Sequence, residues 1–380
     1  MKKILNKIDK PLLLLTIISL IFGVMMVGSA SSLKAYMKFD DSYYYFKRQL
    51  FFIFIGLSCA IIIIKTPIKF WRKFIYVGVF GIFVALVYVL LSKKVMNGIT
   101  GWMFIFGFGI QPSEFAKTIL IIYMALLYEK LIKNRELSNF GKVLPFVVPL
   151  IFMSLVFKQP DLGTMTIIFI ITLTVFLIVP YDKKTKLMIV ALSVISVLII
   201  VIAMLVSGKG LSDSQKSRLN YKKPCTRYRE KTGYQVCNGF IAINSGGILG
   251  SGYGDSKQKY LYLPEAHTDF IYAIIVEEMG LIIGIIIILV YFIMVWRIIM
   301  IGKKSYNIQG VIICYGVASY IAAHVMINLG GVLGVIPLTG VPLPFYSYGG
   351  SFMINLLICL AFVQRTCVEN KIFEQKHLIR

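Results

Sequence analysis

Apolar runs separated by shorter polar connections make up most of the chain. They fall at about 12–30, 49–64, 74–92, 113–129, 143–157, 163–180, 186–206, 269–296, 308–328 and 347–364. Helices of these lengths suit a hydrocarbon core of about 30 Å. The pattern predicts an all-α polytopic membrane protein with about ten transmembrane helices. A polar loop at about 207–268 joins the seventh and eighth, and a tail at about 365–380 ends the chain. Residues 1–380 read as a single integral membrane domain. Its basic start, Met1 to Lys10, leads into the apolar run Pro11 to Gly28. No clear cleavage site precedes a soluble region, so this reads as a retained first span and not a removed signal.

Composition agrees. Of 380 residues, 58% are hydrophobic and 15% charged, a balance that excludes an ordinary soluble domain. The formal net charge of +23 does not point to nucleic acid, because the cations flank apolar spans, as membrane lipids and topology require. With the N-terminus inside, the inner segments hold 22 Lys and Arg residues and the short outer segments 7. The charge rule therefore predicts both termini cytoplasmic. The loop at 207–268 is outside and basic, and long loops escape the rule. Within it, the apolar run Phe240 to Ile243 suggests that part folds back on the membrane.

The six cysteines add little chemistry. Cys59, Cys314 and Cys359 lie in apolar spans and read as small core residues. Cys225 and Cys237 share the long loop, where a disulfide and two free thiols are both open.

The outer loops carry polar, proline and glycine clusters, and the inner loops are plain basic linkers. This asymmetry puts the chemistry at the outer face. The densest cluster is Leu263-Pro264-Glu265-Ala266-His267-Thr268-Asp269-Phe270, where a polar loop enters a long apolar helix. Ionisable groups at membrane depth are costly and mark function by default. The helix is expected to start near Thr268, with Asp269 in its first turn. A first-turn acid also has a plain structural reading. Against that reading, Glu265 and His267 crowd the same turn, and Phe270, Ile271 and Tyr272 follow directly. A carboxylate withdrawn from water beside other acids suits a general base. Glu277 and Glu278, farther down the helix, read as acids paired with polar partners inside the bundle.

Gln111-Pro112-Ser113-Glu114-Phe115-Ala116-Lys117 opens the fourth span. Pro112 suits the first helical position, and Glu114 and Lys117 lie one turn apart and can pair. The functional alternative has Lys117 binding an anion in the outer cavity. Gln159-Pro160-Asp161-Leu162-Gly163-Thr164 reads as turn chemistry between the fifth and sixth spans. Ser347-Tyr348-Gly349-Gly350-Ser351 opens the last span with small residues. No His/Cys metal spacing, P-loop or dinucleotide fingerprint occurs. Carboxylates together with substrate phosphates can still hold a divalent ion such as Mg²⁺ or Mn²⁺.

These motifs, with Pro342-Leu343-Pro344-Phe345-Tyr346-Ser347-Tyr348-Gly349-Gly350-Ser351, together resemble the FtsW/RodA family, the shape, elongation, division and sporulation (SEDS) family of bacterial membrane proteins. The resemblance covers nearly the whole chain, and Pro264-Glu265-Ala266-His267-Thr268-Asp269 is more like the division and sporulation branch. It implies a peptidoglycan glycosyltransferase of the bacterial cytoplasmic membrane, active on its outer face in cell division or cell-shape maintenance. The substrate it implies is lipid II, an undecaprenyl-diphosphate disaccharide-pentapeptide. The implied partners are a class B penicillin-binding protein and other division or elongation proteins. The family's essential acid falls on Asp269. Lys117 and Arg218, with or without a divalent cation, are expected at the departing diphosphate. Glu114, Gln111, Ser113, Glu265, His267, Asp161, Trp102, Ser347 and Ser351 are expected to line the substrate site. One base and one displacement predict inversion at the anomeric carbon.

The chain departs from the family where Asn97-Gly98-Ile99-Thr100-Gly101-Trp102 lacks two arginines common before the fourth span, and where Asn244 replaces a usual glycine. Two other functions suit a bundle with buried acids: a flippase for the same lipid, and a scaffold recruiting a transpeptidase. A flippase needs a polar path open to both faces, whereas the clusters here lie at one.

Overall fold

The computed structural model describes residues 6–92, 100–105, 107–133, 139–188, 190–191, 221–260 and 262–378. The helices are α1 (Lys10–Phe39), α2 (Tyr44–Lys65), the single turn α3 (Ile68–Trp71), α4 (Ile75–Ser92), α5 (Pro112–Lys133), α6 (Asn139–Lys158), α7 (Leu162–Ile178), α8 (Lys231–Gly246), α9 (Ile271–Lys303), α10 (Ile308–Val332) and α11 (Gly350–Leu378). Nine of the ten predicted spans coincide with helices. The remaining one, 186–206, lies mostly outside the described residues. Among the described residues six helices are long and apolar enough to cross a membrane, and two shorter apolar helices cover 144–158 and 162–178. The span in α5 is interrupted by charge: Glu114, Lys117, Glu129 and Lys130 all lie within it.

Local signals explain the ends. The Asp9 side chain accepts from the Leu12 amide at 2.9 Å and caps α1, with Pro11 in the first turn. Asp161 does the same for α7 through the Thr164 amide at 2.9 Å, and Asn307 for α10 through the Gly310 amide at 2.8 Å. Such caps satisfy helix-end donors that have no partner within the helix.

Helix α11 lies along α2, and α10 touches α5, α7, α9 and α11. The most apolar window of α10 is 72% buried and that of α11 89%, against 17% for α4. The first two therefore form the protein-enclosed centre, and α4 faces outward. At one end of the bundle the start of α1 meets α9 and α11: Arg297 pairs with Asp9 at 2.5 Å, and Gln364 exchanges two hydrogen bonds with the Asp9 backbone. We call this the terminal end. The predicted outer loops gather at the opposite, loop end.

Two features depart from a plain bundle. Met103–Ile105 and Phe108–Ile110 pair as a small antiparallel hairpin, which the hydropathy pattern does not predict. The segment expected as one long loop also contains the helix α8, packed on α9. A disulfide between Cys225 and Cys237 joins α8 to the 3₁₀ turn Pro224–Arg227. The apolar run at 240–243 is thus part of α8.

Candidate active site

Asp269 lies two residues before α9, in the turn that leads into it, and not inside the first helical turn as the sequence suggested. Pro264 and the left-handed backbone of Glu265 (φ 55°) keep the chain out of helix until Ile271. Asp269 is buried. The Thr268 hydroxyl is 2.9 Å from a carboxylate oxygen of Asp269 and 2.9 Å from one of Glu265. Its single proton serves one carboxylate at a time.

Around this pair the chain builds a frame. Lys34 at the end of α1 donates to Glu265 at 3.1 Å. The Asn328 side chain, on α10, donates to the carbonyls of Asp269 and Val341, both at 2.8 Å. The Ser347 hydroxyl donates to the Thr268 carbonyl at 2.5 Å and accepts from the Leu343 amide at 2.7 Å. The Tyr348 amide donates to the His267 carbonyl at 2.8 Å. The segment 341–348 is thereby fastened to the turn 267–269.

His267 is buried between the rings of Tyr45 and Tyr348, with centroids 4.7 and 5.8 Å away. Burial, reinforced by the Lys34 charge and opposed by Glu265, lowers its pKa to about 4. For Glu265, burial acts upward, but Lys34, His267 and the Thr268 hydroxyl outweigh it and hold the pKa below the usual glutamate value. Glu265 is therefore a carboxylate at neutral pH, and His267 a neutral imidazole.

A second polar layer begins at Gln111. Its side chain donates to Asp161 at 3.0 Å, and its amide donates to the Ser351 hydroxyl at 3.1 Å. Three of the recognised motifs thus meet here, from α5, α7 and α11. Lys117 has no solvent exposure and does not open onto an external cavity. Its ammonium donates to Glu114 at 2.8 Å and to His324 Nε2 at 3.0 Å. With Nε2 accepting, His324 Nδ1 carries the proton and donates to the Pro342 carbonyl at 3.2 Å. A polar chain therefore links Lys117 to the segment fastened under Asp269. Ser113 and Glu114 each keep a buried side-chain oxygen without a hydrogen-bond partner among the described residues.

Other candidates stand apart. Trp102 is half-buried beside the hairpin, against Gly109. Arg218 lies outside the described residues, as do Lys93, Lys94 and Asn97. Glu277 accepts from Ser256 at 2.5 Å and from the Lys257 amide at 3.0 Å, and Glu278 pairs with Lys259 at 2.9 Å. Both have the polar partners expected of acids inside the bundle. Sequence reasoning missed Lys34, His324 and Asn328. Its signal for the last two was available: two polar side chains four residues apart, on one face of an otherwise apolar span.

The described side chains do not by themselves form a divalent-ion site. Among the described residues no three His, Cys, Asp or Glu side chains come together as metal ligands, and Glu265 is already engaged by Lys34.

The chain is 35% identical to the probable peptidoglycan glycosyltransferase FtsW of Bacillus subtilis (strain 168), over 99% of its own length and 94% of that protein. It is 34% identical to the stage V sporulation protein E of the same organism, over 93% of its own length and 94% of that protein. Its fold matches a chain from a peptidoglycan synthase complex described as coordinating polymerization and crosslinking, with a TM-score of 0.75, 22% identity and coverage of 96% and 98% of the two chains. It also matches the rod shape determining protein RodA of Thermus thermophilus, with a TM-score of 0.67, 22% identity and coverage of 95% and 96%. The family model of FtsW/RodA/SpoVE cell cycle proteins matches residues 10–372, and the chain belongs to that family of multi-span membrane proteins.

Proposed function

We propose that this protein is a peptidoglycan glycosyltransferase that polymerises lipid II, with Asp269 as the general base. The observation that carries the reading is the buried Asp269 carboxylate, held at the loop end by segments from α1, α9, α10 and the 341–348 stretch. Its relatives named as peptidoglycan glycosyltransferases support the reaction class.

In the proposed step Asp269 takes the proton of the acceptor sugar hydroxyl. The acceptor oxygen bonds to the anomeric carbon of the donor, the bond from that carbon to the diphosphate oxygen breaks, and the diphosphate leaves with the electron pair. A single displacement inverts the anomeric centre. Glu265 keeps the Thr268 hydroxyl and Lys34 near the base. Lys34, and Arg218 of the basic loop, are the cations suited to the diphosphate charge. Lys117 would join them only by leaving Glu114 or His324. Gln111, Asp161 and Ser351, bonded to one another beside this frame, and Trp102 at the hairpin remain assigned to the substrate-binding site.

A divalent ion enters this scheme only as a companion of the substrate diphosphate, and no step runs through it. Likeness to a chain from a complex that couples polymerization with crosslinking supports a class B penicillin-binding protein as partner. The charge asymmetry supports cytoplasmic termini and an external active face.

The test uses purified full-length protein and labelled lipid II, with and without the partner. Wild type should make glycan polymer, and Asp269→Asn should lose about 10²–10⁴-fold in rate while eluting and melting like wild type. Wild-type rates from the variant would remove Asp269 from the chemistry. Transbilayer movement of lipid II without polymer would favour the transporter.

A further inference from the structure

The terminal end holds a cavity of about 270 Å³ between the ends of α9 and α11 and the start of α1. Asp9, Trp296, Arg297, Lys304, Asn370 and Lys371 line it, with Glu374 at the same site. Three cations face two carboxylates. Asp9 is already committed to Arg297 and to the Leu12 amide. Arg297 keeps a buried Nε without a hydrogen-bond partner among the described residues. Lys371 donates to the Ile8 carbonyl at 3.2 Å, and among the described residues neither it nor Lys304 forms an ion pair. The surplus is one positive charge, which a phosphodiester balances.

Asn370 adds a second requirement. It is 5% exposed. Its Nδ2 donates to the Ile301 carbonyl at 3.3 Å, which fixes the orientation of the amide, since a carbonyl only accepts. The other end, Oδ1, is buried and has no partner among the described residues. An acceptor in that position takes a proton from an O–H or N–H group, which a glycerol headgroup carries and a choline headgroup lacks.

The third element is apolar. Leu289, Phe292, Ile293 and Trp296 are 53%, 70%, 42% and 51% exposed. Their spacing puts them on one face of α9, a strip about 10 Å long that runs from the cavity toward the middle of the bundle. Trp296 stands at its foot, where an indole suits the boundary between headgroups and acyl chains. A free phosphate would satisfy the cations and leave both Asn370 and this strip unused.

We propose that this cavity binds one anionic phospholipid with a hydroxyl-bearing headgroup, of the phosphatidylglycerol type. The phosphate faces Arg297, Lys304 and Lys371, a headgroup hydroxyl donates to Asn370, and an acyl chain lies along the α9 strip. Basic pockets between membrane helices take such headgroups. The site lies at the opposite end of the bundle from Asp269 and does not depend on the proposed reaction.

The experiment measures lipid retained by the purified full-length protein in neutral detergent, by native mass spectrometry, after exposure to equal amounts of phosphatidylglycerol and phosphatidylcholine. Wild type should keep one phosphatidylglycerol and shed phosphatidylcholine. The double variant Lys304→Gln/Lys371→Gln should hold it about ten- to thirtyfold more weakly. Lys183→Gln/Lys184→Gln removes the same charge from exposed positions at the start of another helical stretch and should hold it as wild type does. Millimolar inorganic phosphate should not displace it. Equal retention by wild type and the first variant, equal loss from both variants, equal retention of phosphatidylcholine, or displacement by phosphate would each overturn the proposal.

Discussion

His267 is packed against Tyr45 and Tyr348, and its buried Nδ1 has no hydrogen-bond partner among the described residues. Its pKa falls from 6.5 to about 4, chiefly through burial, with the Lys34 charge adding and Glu265 opposing. The unfolded chain therefore binds a proton below about pH 6.5 that the folded chain takes up only near pH 4. Stability is full above the unfolded value, falls as pH drops through this window, and levels off below about 4. The whole shift corresponds to about 3 kcal/mol. Glu265 contributes in the same direction, but only below its unfolded value of 4.5. A melting series from neutral pH down to about 5 therefore separates the His267 contribution from that of Glu265, and the variant assigns it. The expected result is a wild-type melting temperature that drops across the series and a flatter profile for His267→Phe, which keeps an aromatic ring and removes the titration. Parallel profiles would show that His267 is not the source. At this scale the sequence made the cluster visible, because Glu265, His267 and Asp269 crowd the mouth of an apolar run. Lys34 was hidden among charges that serve topology, and although the spacing of His324 and Asn328 was visible, the backbone carbonyls on which Asn328 acts were not.

Helix α9 is broken at Gly280, where φ is 83° and ψ is 167°. The Glu277 and Glu278 carbonyls accept from the Ser251 and Gly252 amides, and the Leu281 amide donates to Gly247. The segment 247–252 thus supplies the hydrogen bonds that the helix gives up, as buried backbone requires at membrane depth. Only glycine suits the position. The backbone is in a region closed to other residues, and a Cβ would come within 2.5 Å of the Leu249 carbonyl carbon and 2.6 Å of the Gly250 nitrogen. Gly280→Ala should cost about 2 kcal/mol or more and speed amide exchange at 247–252 and 277–282. Unchanged exchange there would mean that the break is not held by this junction. The spans were legible because apolar runs of bilayer length have few alternative readings. This interruption was not, since a single glycine barely changes the hydropathy of a span and the neighbouring Glu277 and Glu278 read as paired acids inside the bundle. The partners of the freed carbonyls also come from a loop whose fold the pattern does not encode. The hairpin at 103–110 escaped for a related reason, its strands being too short to show alternation.

Three distant parts of the chain meet at Glu278. Its carboxylate accepts from the Ser29 hydroxyl of α1 at 2.7 and 2.9 Å, and from the Lys259 ammonium at 2.9 Å. That ammonium also donates to Ser29 at 2.9 Å and to the Gly254 carbonyl at 2.6 Å. Both charged side chains are almost fully buried, so neither can be relieved by water when its partner is lost. The joint fixes the stretch that ends in Asp269 to α1 and α9 together. Lys259→Met leaves a buried carboxylate without its cation and should destabilise by about 3–5 kcal/mol. Lys259→Met with Glu278→Gln removes both charges and should recover much of that loss, because a buried pair owes little of its value to net attraction once desolvation is counted. Denaturation of the two single variants and the double variant in detergent gives the coupling directly. The expected coupling is about 2–3 kcal/mol, and the Lys259→Met protein should lose polymer synthesis along with stability. Additive effects would mean that the loop, α1 and α9 are held together elsewhere, and that the position of Asp269 does not depend on this ion pair.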